Sequence, residues 1–284
     1  MKHTSLPVVF ILALASAVVA DVKGQFKVDK TTITPGYDGA YLVHDQFNGR
    51  QMQVEMILSE AAVDIKAAVA ELSPHSQIIN QPEIMDANYI LLWIDPDGKV
   101  SMNAKAAGVQ YIDSTEGGLK VELKTNTLER VAGRVYTPNP VKTLSGPVFE
   151  VDLTFDTAVT KSPAGKALPA GGGDPGKALM DLQKAMSKDL AALNSLLTQE
   201  TIDRLQDDYN TPEENFKGTV DILNAWLPKQ NWKVTRGELI DDATAILEVE
   251  GDMFEDTQAV YLARMKKTDT GWKFAKATVA GMIK

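Results

Sequence analysis

The first half of the chain alternates. In QMQVEMIL (51–58), Met52, Val54, Met56 and Leu58 fall on one side, and Gln51, Gln53 and Glu55 on the other. GLKVELK (118–124) sets Leu119, Val121 and Leu123 against Lys120, Glu122 and Lys124. FEVDLTFD (149–156) sets Val151, Leu153 and Phe155 against Glu150, Asp152, Thr154 and Asp156. Successive side chains of a strand point to opposite faces, so a period of two predicts antiparallel strands with one wet face. YILLWI (89–94) is apolar on both faces and predicts a central strand. One helix interrupts: Ser59 is placed to cap EAAVDIKAAVAEL, with Val63, Ala67 and Ala70 on a shared face. Short strands separated by turn signals predict a β-sandwich or open barrel.

The period then changes. Asp174 and Pro175 read as N-cap and first helical residue, and Leu179, Leu182, Met186, Leu190, Leu193 and Leu197 follow at steps of three and four. Thr198 caps a second helix to about Tyr209. Thr211, Pro212 and Glu214 form a capping box for a third helix, with Phe216, Val220, Leu223 and Leu227 as its stripe and Pro228 as its stop. Four strand-like runs end the chain: NWKVTRGEL, ATAILEVEG, TQAVYLARMKK and GWKFAKATVAG. This half predicts three helices followed by an antiparallel sheet. Between the halves, KSPAGKALPAGGGD (161–174) is rich in Pro, Gly and Ala and nearly empty of large apolar residues. Such composition predicts a flexible connector. The expected organisation is a β-rich domain over 22–160, a linker over 161–173 and an α+β domain over 174–284.

The second half resembles the NTF2-like (SnoaL-like) superfamily. The residues that carry the likeness are the leading DPGKALMDLQKAMSKDLAALNSLL and the closing TDTGWKFAKATV. The whole chain is also similar to exported bacterial proteins that join a β-rich domain to such a module through an LPAGGGDPGKA-like junction. The resemblance implies a cone: three helices packed into the concave side of an antiparallel curved sheet, its mouth suited to a small ligand. It implies an architecture and no particular activity.

Composition narrows the setting. A net charge of −9 and the lack of a basic stripe argue against nucleic acid and anionic membrane surfaces as partners. Lys2, the apolar run Leu6–Ala17 and the small residues of Val18-Val19-Ala20 predict a signal peptide over 1–20, cleaved after Ala20. Cleavage removes one lysine and no acid, taking the charge from −9 to −10. The mature chain is then expected in the periplasm or outside the cell, with no membrane span. The absence of cysteine excludes disulfides, thiol catalysis and thiolate metal sites.

Candidate chemistry is sparse. Asp95-Pro96-Asp97-Gly98 suggests a calcium loop, but Lys99 stands at the fifth position and glycine at the fourth, so a hairpin turn fits better. His44 and His75 lie outside the signal segment, and both are expected at the surface or rim. No Gly-x-Ser-x-Gly elbow occurs, and AGGGDPGKA lacks phosphate-loop spacing. No catalytic residue, metal or cofactor is assigned. The candidate lining of the cone is Tyr209, Trp226, Trp232, Tyr261, Trp272 and Phe274, with Glu248, Glu250 and Arg264 as polar groups. The alternative places the aromatics in the core and the acids on the outer face.

The leading expectation is a non-enzymatic binding or interaction protein. Its cone would take a small apolar or amphipathic ligand, or dock an envelope protein or a second copy of the chain. The rivals are an isomerase, cyclase or hydratase using a buried carboxylate, and a structural or assembly factor of the cell envelope.

Overall fold

The computed structural model describes residues 22–106, 109–113, 118–142, 146–206 and 211–283. The expected signal peptide and Tyr209 lie outside them. The first domain opens with β1 (Lys23–Val28), β2 (Thr31–Ile33), β3 (Tyr37–Asp45) and β4 (Asn48–Ser59). Three short helices follow: α1 (Ile65–Val69), α2 (Pro74–Ile79) and α3 (Pro82–Met85). Then come β5 (Tyr89–Ile94), β6 (Val100–Ala106), β7 (Val109–Asp113), β8 (Lys120–Asn126), β9 (Arg130–Tyr136), β10 (Val141–Lys142) and β11 (Val148–Thr160).

These strands form one 11-stranded sheet, ordered β2-β1-β11-β3-β4-β5-β6-β7, with β9 and β10 also paired to β11 and β8 to β9. The thirteen-residue β11 joins its two parts. Its middle pairs antiparallel with β1 and β9, while Val159 and Thr160 run parallel to Ala40 and Tyr41 of β3. The sheet thereby folds over a single core that holds Phe26, Val135 and Leu153 together with Met56, Leu92 and Met102. The turn Asp95–Gly98 joins β5 to β6: the Gly98 N–H donates to the Asp95 carbonyl at 2.9 Å, and Gly98 takes φ +85°.

The other face of β3, β4 and β5 is covered by the short helices. Tyr41, Ile57 and Leu91 pack there against Ile65, Val69, Ile78 and Ile84. Strand β4 is therefore buried on both sides, and Gln53 and Glu55, expected in water, are 5% and 1% exposed. The helical layer also begins later than expected. Ser59 remains in the sheet, paired with Tyr37 and Tyr89, and Asp64 caps α1 by accepting from the Ala67 N–H at 2.9 Å.

After β11 the connector does not hang free. β12 (Lys166–Ala167) pairs with β13 (Gln230–Asp241), and one 3₁₀ turn at Ala170–Gly172 leads into α4 (Gly173–Ala185). Gly172 has φ +78° and presses on Leu247, where an added Cβ would lie 2.8 Å from a methyl group. Next come α5 (Leu190–Asn194), α6 (Gln199–Gln206) and α7 (Pro212–Trp226), and after β13 the strands β14 (Thr244–Phe254), β15 (Thr257–Thr268) and β16 (Gly271–Ile283). The second sheet is ordered β12-β13-β14-β15-β16.

The expected fold, a β-sandwich or open barrel followed by an NTF2-like cone, is overturned. The described residues are mostly β, 51% strand against 24% helix, with two sheets and few helices, and no three-helix-then-curved-sheet cone occurs among them. Three local causes are visible. The apolar stripe from Leu179 to Leu197 is not one helix: α4 stops at Ala185, and Asp189 starts α5 by accepting from the Ala192 N–H at 2.8 Å. One strand of the second sheet, β12, precedes the helices. The helices cover one face of that sheet, through Leu179, Leu182, Leu223, Leu247, Val249 and Phe274, and the first domain covers part of the other.

The domain junction is built from close backbone packing and ion pairs. Gly281 lies against Gly49 and the Asp45 carbonyl, and the Met282 N–H donates to the Gln46 carbonyl at 2.9 Å. Arg50 grips Glu250 with two bonds, 2.8 and 2.9 Å. Glu71, two residues after α1, accepts from Arg264 at 3.1 Å and from Lys276. Burial pushes the Glu71 carboxyl up, but these two cations outweigh it and hold the group below its usual range. No helix among the described residues is long and apolar enough to cross a membrane.

Candidate functional site

Between the two domains lies a cavity of about 430 Å³. Its first-domain wall is made by Val43 and His44 of β3, Gln53 and Glu55 of β4, Trp93 of β5, and the α1–α2 corner from Val69 to His75. The second domain supplies the sheet face opposite its helices. A bulge between Val234 and Arg236 resets the alternation of β13, so that Arg236, Glu238 and Ile240 line the cavity while Leu239 packs with the helix-side core. Ile246 and Glu248 of β14, Leu262 of β15, and Thr278 and Ala280 of β16 complete this wall.

Glu55 is the most deeply placed acid of the site. The register sets it between Tyr41 on β3 and Trp93 on β5. A carboxylate removed from water needs a partner, and His75 supplies one: its Nδ1 lies 2.5 Å from Glu55 Oε1. Pro74 opens α2, its fixed φ suited to the first turn in which His75 lies. The imidazole packs near the Trp93 ring, with centroids 6.1 Å apart. The bond to Glu55 pushes the His75 pKa up, against the opposing effect of burial. Burial pushes the Tyr41 hydroxyl up strongly, and the nearby Glu55 charge adds to this.

With Nδ1 engaged, Nε2 of His75 has no partner among the described residues, in a ring that remains 38% exposed. His44 is held in the same manner: its Nδ1 donates to the Gly49 carbonyl at 2.6 Å. Two imidazoles fixed through Nδ1 thus line one cavity. Among the described residues, no group of three or more His, Cys, Asp or Glu side chains could hold a metal ion.

The residues expected to line a cone are divided by the second sheet. Trp232, Tyr261 and Phe274 are buried on the helix side, and Trp226 and Trp272 pack against the same core. Burial, with the Asp252 charge nearby, pushes Tyr261 up to about 12. Arg204 lies over the Trp226 ring at 4.6 Å. Glu248, Glu250 and Arg264 are on the opposite face, where Glu250 and Arg264 serve the junction and Glu248 lines the cavity.

Glu55, Trp93 and the sharing of one cavity by His44 and His75 are not among the candidates the sequence offers. A signal for Glu55 was present: YILLWI reads as buried on both faces, and a strand beside it is covered on both faces too. The sequence matches no protein-family model and no curated protein.

Proposed function

We propose that the chain is an exported, non-enzymatic binding protein that holds a small amphipathic ligand between its two domains. The cavity carries this reading. Its volume of about 430 Å³ falls within the roughly 300–1,000 Å³ common for small-molecule sites. Its walls mix apolar side chains, such as Val69, Leu72, Ile246 and Leu262, with a few fixed polar groups. Export rests on Lys2, the apolar run after it and the small residues ending at Ala20.

The test is native mass spectrometry of the full chain purified from its own cells. The expected result is a reproducible small mass excess, lost on denaturation. Ala280→Trp, which fills the cavity from β16, should abolish the excess. A bare mass for the wild type, or an adduct retained by the filled variant, refutes the reading.

A second reading, an acid–base enzyme, draws on the Glu55–His75 pair. A buried carboxylate that orients an imidazole is a common device for proton transfer. It predicts that fresh wild-type protein converts the recovered ligand and that His75→Gln does not. Unchanged ligand in both samples rejects it.

A further inference from the structure

The proposal above leaves the chemistry of the ligand open, and the pairing of charges around the cavity narrows it. The titratable groups on its walls are Glu55, Glu71, Glu238, Glu248, Arg236, His44 and His75. Three of the four acids are already matched. Glu55 holds His75, Glu71 holds Arg264 and Lys276, and Glu238 holds Arg236.

Glu248 is the exception. Its cross-strand neighbours are Arg236 on β13 and Leu262 on β15. The Arg236 guanidinium turns to Glu238 instead. Glu248 accepts a hydrogen bond from the Thr235 hydroxyl at 2.7 Å, and no cation reaches it among the described residues. It is half-buried, so its charge acts partly through protein rather than through water alone.

We infer that the ligand carries a positively charged nitrogen that pairs with Glu248, its apolar body lying along Leu72, Ile246 and Leu262. This rests on the cavity being the binding site. An ammonium completes the one unmatched carboxylate. The half-buried Trp93 on the other domain's wall offers aromatic surface that also favours a cation. A carboxylate ligand would instead meet a wall with four acids, whose one lining arginine is already engaged.

The experiment is isothermal titration of the full chain with three six-carbon probes: hexylammonium, hexanol and hexanoate. Glu248→Gln and Ala280→Trp are titrated alongside. Glu248→Gln keeps the hydrogen bond from Thr235 and removes only the charge, and a thermal melt confirms its folding. The expected order is hexylammonium at least tenfold tighter than hexanol, with hexanoate weakest. Glu248→Gln should erase the preference while leaving hexanol unchanged, and Ala280→Trp should abolish binding of all three. If the probes bind without cation preference, or if hexylammonium is insensitive to Glu248→Gln, while Ala280→Trp still blocks them, the charge inference falls and the cavity reading stands. If no probe binds, or Ala280→Trp blocks none, both fall.

Discussion

Replacing Gly281 by alanine should weaken the junction by a mechanism readable from distances. Neither Gly281 nor Gly49 has a positive φ, so alanine meets no backbone strain at either position and the effect is purely steric. A Cβ on Gly281 would lie 2.2 Å from the Asp45 carbonyl oxygen and 2.8 Å from Gly49 Cα, where ordinary contact begins at 3.4 Å. Both obstacles are backbone, which cannot rotate aside. Relief needs a displacement of about 1 Å between β16 and the β3–β4 turn, and overpacking of this kind costs about 1–3 kcal/mol. The shift would also strain the bond from Met282 to Gln46 and the paired bonds from Arg50 to Glu250. Urea unfolding followed by circular dichroism gives the cost for Gly281→Ala, Gly49→Ala and the double variant. Each single variant should lower stability by about 1–3 kcal/mol. The double should cost less than the two combined, since one displaced junction relieves both clashes. A Gly281→Ala chain within about 0.5 kcal/mol of wild type would refute the reasoning.

Two further outcomes are expected. His75 has a folded pKa raised by Glu55, so its pairing contributes fully below the unfolded value near 6.5 and is lost as pH rises through the raised folded value. Because 38% of the imidazole remains exposed, screening holds this to about 1 kcal/mol. Urea midpoints from acid to alkaline pH should show the loss in wild type and not in His75→Gln, and parallel curves would contradict it. Thr211→Ala removes the hydroxyl that accepts from the Glu214 N–H at 3.2 Å and should cost about 1 kcal/mol, with Thr211→Asp recovering most of it. Thermal unfolding of the three chains measures this.

Local order was legible where one short stretch decides it. The Asp95–Gly98 turn needs only its own four residues, and α7 follows from Thr211, Pro212 and the stripe that includes Leu223. The four strand-like runs that end the chain likewise form strands. What failed depends on distant chain. Alternation marked Gln53 and Glu55 as polar, but only the arrival of α1–α3 over β4 decides that this polar row is buried. The same holds for the second sheet. The sequence offers two readings of the aromatics Trp232, Tyr261 and Phe274 and the acids Glu248 and Glu250, one shared lining or aromatics inside and acids outside, and strand parity divides them in the second way. The site was hidden more deeply still. His44 and Glu55 come from the first sheet, His75 from a short helix and Glu248 from the other domain, and no spacing along the chain encodes their meeting.

The two borders of the second sheet have a consequence for solubility. Unpaired strand borders invite foreign chains to add on, and proteins commonly guard them with charge, proline or bulges. Here the chain shields them with itself. On one side, Lys166 and Ala167 pair with Leu239 and Glu238, and the Leu168 N–H donates to the Gly237 carbonyl at 2.8 Å. On the other, Phe274 exchanges bonds of 2.8 and 2.9 Å with Leu196 and Thr198, the Thr201 hydroxyl donates to the Ala275 carbonyl at 2.6 Å, and the Gln46 carbonyl accepts from the Met282 N–H. Two of these shields lie outside the second half proper: the segment at 166–168 and the turn at Gln46. Severed from them, β13 would present a bare template for aggregation, and β16 would lose its cover at Met282. The two halves of the chain are thus joined as much by mutual protection from misassembly as by the cavity between them.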